Sequence, residues 1–82
     1  MNRSEILSVF TKHFTDALPD VTAGTLDTHR TMKEMGANSL DIVEIVSRTM
    51  RELKVKIPRS ELGSLKNIDA LLDVLERAAS HQ

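Results

Sequence analysis

The residues best placed to do chemistry lie in the run Gly36-Ala37-Asn38-Ser39-Leu40-Asp41, where a polar loop meets an amphipathic segment. Asn38 or Ser39 is predicted to be the N-cap of a helix, because both side chains readily accept a hydrogen bond from a first-turn N–H group. A helix start also presents unpaired N–H groups and the positive end of the helix dipole, so a phosphate joined to the Ser39 hydroxyl would be stabilised there. The run therefore predicts a capped helix start and, compatibly, a phosphate-bearing serine.

The helix that begins at this run is predicted to extend from about Ser39 to Leu53, with one apolar stripe facing the core. At about 100° per residue, the stripe centres on four side chains and is widened by two more. The four are Val43, Val46, Met50 and Leu53, and the two are Ile42 and Thr49.

Leu40 is predicted to lie outside this stripe, about a quarter-turn from its centre and on the polar flank of the helix. Core packing does not explain a leucine at that position. Because Leu40 follows Ser39 directly and has Asp41 and Glu44 near it, it indicates a docking point with an acidic rim.

An ordinary solvated face is the alternative interpretation of the same flank. Glu44 and Arg48, and likewise Arg48 and Glu52, have the i,i+4 spacing of ion pairs that stabilise an isolated helix. A helical adaptor that binds a partner through Leu40 and its surroundings, without being modified, is a further alternative.

The first helix is predicted from about Asn2 to Leu18, where Pro19 follows. Its apolar residues recur at steps of three and four. They are Ile6, Val9, Phe10, Phe14 and Ala17. Asn2 and Glu5 resemble a capping pair.

The loop from Pro19 to Asn38 is long for a compact domain, and loops of this length are more often functional than idle. Thr31 and Glu34 have the spacing of a capping box, which predicts a short turn ended by Gly36. Met32 and Met35 are expected to reach the core from this turn.

The remainder of the chain predicts a short turn between about Arg59 and Leu65 and a final helix that opens at Asn67, a favourable N-cap. Val55 and Ile57 alternate with lysines as in a strand, but no partner strand is available, so an extended loop is predicted. The final helix has its apolar face at Ile68, Leu71, Leu72, Leu75 and Ala78.

These elements predict an all-α fold, a small four-helix bundle of three main helices and one short helix, with a long loop between the first and second helices. The chain has 82 residues and no cysteine, so one domain spanning residues 1–82 must be stabilised by an aliphatic core without disulfides.

Catalytic and metal sites are not indicated. The three histidines, His13, His29 and His81, have no metal-ligand spacing, and no nucleophile elbow or glycine-rich phosphate loop is present. A net charge of −1 argues against nucleic acid as a partner. With no apolar run long enough for a membrane span and no signal peptide, the chain is expected to be cytoplasmic and to bind no membrane. It is also expected to be a monomer.

The same central run resembles the signature of the acyl carrier protein family, in which a G-x-D-S-L pattern is followed by V-E on the same helix and later by I-P. The matching residues here are Gly36 to Asp41, then Val43-Glu44, then Ile57-Pro58. Ile57 lies eighteen residues after Ser39, which is the family's spacing, and the resemblance covers essentially the whole chain.

The resemblance implies that Ser39 is the attachment point for 4′-phosphopantetheine, which a separate phosphopantetheinyl transferase would move from coenzyme A to the Ser39 hydroxyl. An acyl group, supplied by a loading enzyme, would then be carried as a thioester on the arm. The protein would be a carrier and not an enzyme, and the gap between its helices could shelter an acyl chain. The positions that match the family's partner-docking residues are Leu40, Asp41 and Glu44.

Two departures from the family pattern point to specialised partners. The family's usual aspartate before the serine is Asn38 here, and the end of the second helix and the loop after it are basic, where fatty-acid carriers are acidic. The basic residues are Arg48, Arg51, Lys54, Lys56 and Arg59. The sequence resembles free-standing polyketide carriers that donate acetyl units to an enzyme similar to hydroxymethylglutaryl-CoA (HMG-CoA) synthase during β-branching, although that subgroup often has Arg-Ala at Ile42-Val43. A general fatty-acid or polyketide extension carrier is the alternative.

Overall fold

The computed structural model describes residues 2–63 and 65–80, with the side chain of Arg59 excepted. Four helices account for the regular structure of this part of the chain, and it contains no strand, which confirms the predicted all-α class. The helices are α1 (Arg3–Ala17), α2 (Ser39–Leu53), α3 (Arg59–Leu62) and α4 (Ile68–Ser80). His81 lies outside the described residues.

Helix α1 is the central packing element and contacts both α2 and α4. Asn2 is its N-cap, as predicted, and accepts a hydrogen bond from the Glu5 N–H at 2.8 Å. Ile6, Phe10 and Phe14 are fully buried, and the two phenyl rings pack with their centroids 5.6 Å apart. The apolar face of this helix is therefore the middle of the core.

Side chains at both ends of α1 bind it to its neighbours. Arg3 donates hydrogen bonds to the carboxylates of Asp73 and Glu76 on α4. At the other end, Glu52 of α2 accepts a hydrogen bond from Lys12 Nζ at 2.7 Å and lies 2.8 Å from His13 Nε2. The hydrogen bond from Lys12, followed by that from His13, holds the pKa of Glu52 below its ordinary value.

The segment after α2 is extended and buried on one side. Lys54 ends the helix in the left-handed conformation with φ 58°, and the Val55 N–H donates to the Met50 carbonyl at 3.0 Å. Val55 and Ile57 then enter the core, while Lys56 between them is exposed. The predicted extended loop is confirmed, and its alternation places two apolar side chains inward without a sheet.

The long loop is fixed to the start of α4 by main-chain hydrogen bonds. The N–H groups of Ile68 and Asp69 donate to the carbonyls of Arg30 and Thr28 at 2.9 and 2.8 Å. Asn67 caps the next N–H, that of Ala70, at 2.8 Å, as its sequence position predicted. The first three N–H groups of α4 are thus satisfied, and the loop is fixed beside the site described next.

Candidate functional site

The approach to α2 is a tight turn in the long loop. The Thr31 N–H donates to Glu34 Oε1 at 2.9 Å and the Glu34 N–H donates to Thr31 Oγ1 at 3.0 Å, which confirms the predicted capping box. Gly36 leaves the turn with φ 105°, in a region that side-chain-bearing residues rarely adopt. Met32 and Met35 pack against the core, as expected.

A second capping box follows immediately and sets the start of α2. Asn38 Oδ1 accepts from the Asp41 N–H at 2.8 Å, and Asp41 Oδ2 accepts from the Asn38 N–H at 3.1 Å. Asn38, not Ser39, is therefore the N-cap. Ala37, just before it, is 5% exposed and was missed by the sequence interpretation. An apolar residue immediately before an N-cap is the signal that could have identified it.

Ser39 is the first residue of α2 and is exposed. Its hydroxyl makes no hydrogen bond to any residue that the structure describes, and neither do the main-chain N–H groups of Ser39 and Leu40. The position therefore combines an accessible hydroxyl with unpaired donors and the positive end of the helix dipole. These features fit a phosphodiester on this oxygen.

The surface beside Ser39 is apolar to an unusual degree. Leu40 is 80% exposed and Val43, one turn along α2, is 59% exposed. Glu44 lies on the same surface and pairs with Arg48, which confirms the first of the two predicted i,i+4 pairs. The second predicted pair, Arg48 with Glu52, is wrong, because Glu52 is bound by Lys12 and His13 of α1 instead.

The predicted position of Val43 at the centre of the core stripe is also wrong. Ile45, which the stripe omitted, has no exposed surface, and Val46 is 5% exposed. The buried sector of α2 is therefore rotated toward α1 by roughly 60° on the helical wheel. Leu40 consequently lies almost opposite the core, not a quarter-turn from the stripe.

A groove of about 640 Å³ opens one turn from Ser39. Val43 lies at its edge, and Thr31 and Lys33 of the loop form one wall. Apolar side chains from α2, α3 and α4 cover most of its surface, among them Ile42, Val46, Met50, Leu62, Ile68 and Leu71. The groove can therefore hold an extended apolar group whose origin is near the start of α2.

The other histidine and carboxylate side chains that the structure describes are not arranged as a metal site. Within residues 2–63 and 65–80, no group of three or more histidine, aspartate or glutamate side chains is arranged to hold a metal ion. His13 lies at the edge of the apolar face of α1, as predicted, and His29 is exposed beside Asp27 and Asp69. No helix in the same part of the chain has the length and apolarity of a membrane span.

Comparison with known proteins connects this geometry to a family. Residues 12–75 match the family model described as "Phosphopantetheine attachment site". The chain is 33% identical over 75 residues to the polyketide biosynthesis acyl-carrier-protein AcpK of Bacillus subtilis (strain 168), and the match covers 92% of each protein.

A solved structure agrees with this match. A chain in the crystal structure of the curacin biosynthetic pathway HMG synthase in complex with acetyl donor-ACP superposes with a TM-score of 0.80 at 30% identity. The match covers 96% of the present chain and 99% of that chain. The protein therefore belongs to the acyl carrier proteins: it is a carrier and not a catalyst, and its prosthetic group is covalently attached 4′-phosphopantetheine.

Proposed function

We propose that Ser39 carries the phosphopantetheine arm and that the protein delivers acetyl groups to an enzyme of the HMG synthase class in polyketide β-branching. The observation that carries the attachment proposal is the exposed Ser39 hydroxyl at the first position of α2. When attached, the arm supplies the thiol on which an acyl group is held as a thioester.

The attachment step needs no catalytic group in this chain. Ser39 Oγ forms a bond to the phosphorus next to the pantetheine of coenzyme A, and the P–O bond of the pyrophosphate breaks. Adenosine 3′,5′-bisphosphate leaves, and a base of the phosphopantetheinyl transferase takes the hydroxyl proton. The absence of a hydrogen-bonded base beside Ser39 in the described structure is consistent with a modification performed by another enzyme.

The acetyl-donor part of the proposal is supported by the two relatives. One is a polyketide acyl carrier protein, and the other is in complex with an HMG synthase as its acetyl donor. Both matches extend over nearly the whole chain, so the site region is included in each.

Docking of such partners is proposed at Leu40, Asp41 and Glu44. Leu40 supports this most directly. Its side chain is 80% exposed, and covering it with a partner would remove this apolar surface from water, which is favourable. Asp41 also has a structural task, since Oδ2 closes the capping box, and its remaining acceptor sites are those that a partner could use. Glu44 contributes through a side chain that is half exposed and paired with Arg48.

Attachment is tested by incubating the protein with coenzyme A, Mg²⁺ and a broad-specificity phosphopantetheinyl transferase. Intact-protein mass spectrometry is expected to show the addition of one phosphopantetheine, and Ser39→Ala is expected to abolish it. Ser8→Ala, at an exposed serine of α1, is the control and should be labelled normally. Labelling of Ser39→Ala would overturn the assignment, and an unmodified wild-type protein would favour an adaptor.

The donor role is tested with the acetylated carrier. We expect acetyl transfer to a β-branching synthase to be faster than transfer to an elongating fatty-acid synthase enzyme. Equal transfer to both would favour the alternative function, a general carrier for fatty-acid or polyketide extension.

A further inference from the structure

We propose that α2 presents a two-ended recognition ridge, Leu40, Ser47 and Arg51, and that Arg51 selects partners that carry a carboxylate at the far end of their docking surface. This inference rests on the proposed function, because it concerns the enzyme that receives the acyl group. It assigns a specificity role to a residue well away from the attachment site.

The ridge is defined by its direction relative to the core. Ile45, Thr49 and Leu53 are buried and mark the inner side of α2. At about 100° per residue, Leu40, Ser47 and Arg51 fall within roughly 40° of one another and close to the direction opposite that inner side. Leu40 and Arg51 are both exposed.

Charge distinguishes the two ends of the ridge. Near Leu40, the Glu44 carboxylate is already paired with Arg48, so that end presents mainly apolar surface. At the other end, the Arg51 guanidinium makes no hydrogen bond or ion pair with any described residue. The unpaired charge on the ridge is therefore positive, and its complement on a partner is a carboxylate, which a guanidinium can bind through two parallel hydrogen bonds.

The spacing places this contact at the rim of an interface. Ser39 and Arg51 are separated by twelve residues of helix, or about 18 Å at 1.5 Å per residue. A partner that accepts the arm at Ser39 must extend at least that far along α2 to reach Arg51. Charges at such rims mainly change the association rate and exclude wrong partners, so Arg51 would disfavour enzymes that are basic at this far end of their docking surface.

A purely structural role is the competing explanation for Arg51. It lies in the last turn of α2, where a cation is stabilised by the helix dipole. Arg77 provides a matched control, because it is an exposed arginine in the last turn of α4 and also lacks an ion pair with the described residues. Both arginines lie in the last turn of their helix, and only Arg51 lies on the ridge.

The experiment compares Arg51→Glu, Arg51→Lys and Arg77→Glu as phosphopantetheine-loaded, acetylated proteins with the HMG synthase of the carrier's own pathway. We expect Arg51→Glu to lower kcat/KM for acetyl transfer by about tenfold at low salt, with a much smaller loss at about 0.5 M salt. Arg51→Lys should retain most of the rate, and Arg77→Glu should match the wild type. The two variants Arg51→Glu and Arg77→Glu should be loaded with phosphopantetheine to the same extent and should have similar thermal unfolding midpoints.

Equal transfer rates for Arg51→Glu and Arg77→Glu would overturn the inference, as would a loss that does not depend on salt. Failure of the proposed function would give a different result, because the acetylated wild-type carrier would then not transfer its acetyl group to the synthase. If Arg51→Glu does not fold, Arg51→Gln is the deciding variant. It is expected to lower kcat/KM for acetyl transfer by a smaller factor, and this decrease should also diminish at high salt.

Discussion

Asn38 and Asp41 close a reciprocal pair of hydrogen bonds around the first turn of α2, with Ser39 and Leu40 between them. The cap therefore fixes the main chain at the proposed attachment residue and leaves the side chains of Ser39 and Leu40 exposed. Asn38 and Asp41 thus stabilise the start of the helix, while Ser39 between them keeps an accessible hydroxyl.

Replacing Asn38 should therefore affect stability more than replacing Ser39. Asn38→Ala removes the side-chain acceptor for the Asp41 N–H and should lower the free energy of unfolding by about 1 kcal/mol. Ser39→Ala removes a hydroxyl without a hydrogen-bond partner in the described structure and should leave that free energy nearly unchanged. Denaturant melts of both variants check this. A larger loss in Ser39→Ala than in Asn38→Ala would contradict the assignment of the cap.

The rotated core sector of α2 makes a second prediction about neighbouring valines. Val46→Asp buries an unpaired carboxylate and should lower the free energy of unfolding by about 3 kcal/mol or more. Val43→Asp makes the same chemical change one turn away, where the side chain is mostly exposed, and should cost no more than about 1 kcal/mol. Chemical denaturation followed by circular dichroism measures both. Equal losses in the free energy of unfolding would show that Val43 lies in the core, as the helical periodicity predicted.

The comparison of these valines shows why part of the fold was predictable and part was not. Helix starts depend on residues a few positions apart, so Asn2, Asn38 and Asn67 could be identified as caps or cap candidates from the sequence. On α2, in contrast, apolar residues occupy a broad sector, and periodicity alone does not determine which edge of it is covered. Packing of α1 decides in favour of Ile45 over Val43.

Contacts between distant segments account for the other differences. The spacing of Arg48 and Glu52 predicts an ion pair, but Lys12 and His13, about forty positions away in the chain, bind Glu52 instead. The main-chain hydrogen bonds of Thr28 and Arg30 with α4 leave no side-chain signature, so no residue pattern indicates them. The proposed attachment serine, Ser39, and its cap could be predicted from the sequence because they form one continuous motif.

Glu44 provides a test that separates docking from helix stability. Glu44→Lys should slow acyl transfer to the partner several-fold, because it reverses a charge beside Leu40. It also replaces the ion pair with Arg48 by a like-charge pair, at a cost of about 0.5 kcal/mol. The double variant Glu44→Lys with Arg48→Glu restores an ion pair of reversed direction and should recover the stability but not the transfer rate. Recovery of both would show that Glu44 acts only through its pair with Arg48.

The contact between Lys12 and Glu52 should make stability depend on pH. The hydrogen bond from Lys12 lowers the pKa of Glu52 in the folded protein below its ordinary value of 4.5, so the folded state favours the carboxylate. The resulting stabilisation is complete above that ordinary value and is lost as the pH falls through the lower, folded pKa. Lys12→Gln should raise the pKa of Glu52 in an NMR titration and lower the free energy of unfolding at neutral pH, with the difference from the wild type narrowing in acid.

Lys66→Gln, at an exposed lysine without an ion pair in the described part of the chain, is the control. If the difference in the free energy of unfolding between the wild type and Lys12→Gln stays constant from neutral to acidic pH, Lys12 contributes through packing of its methylene groups and not through Glu52.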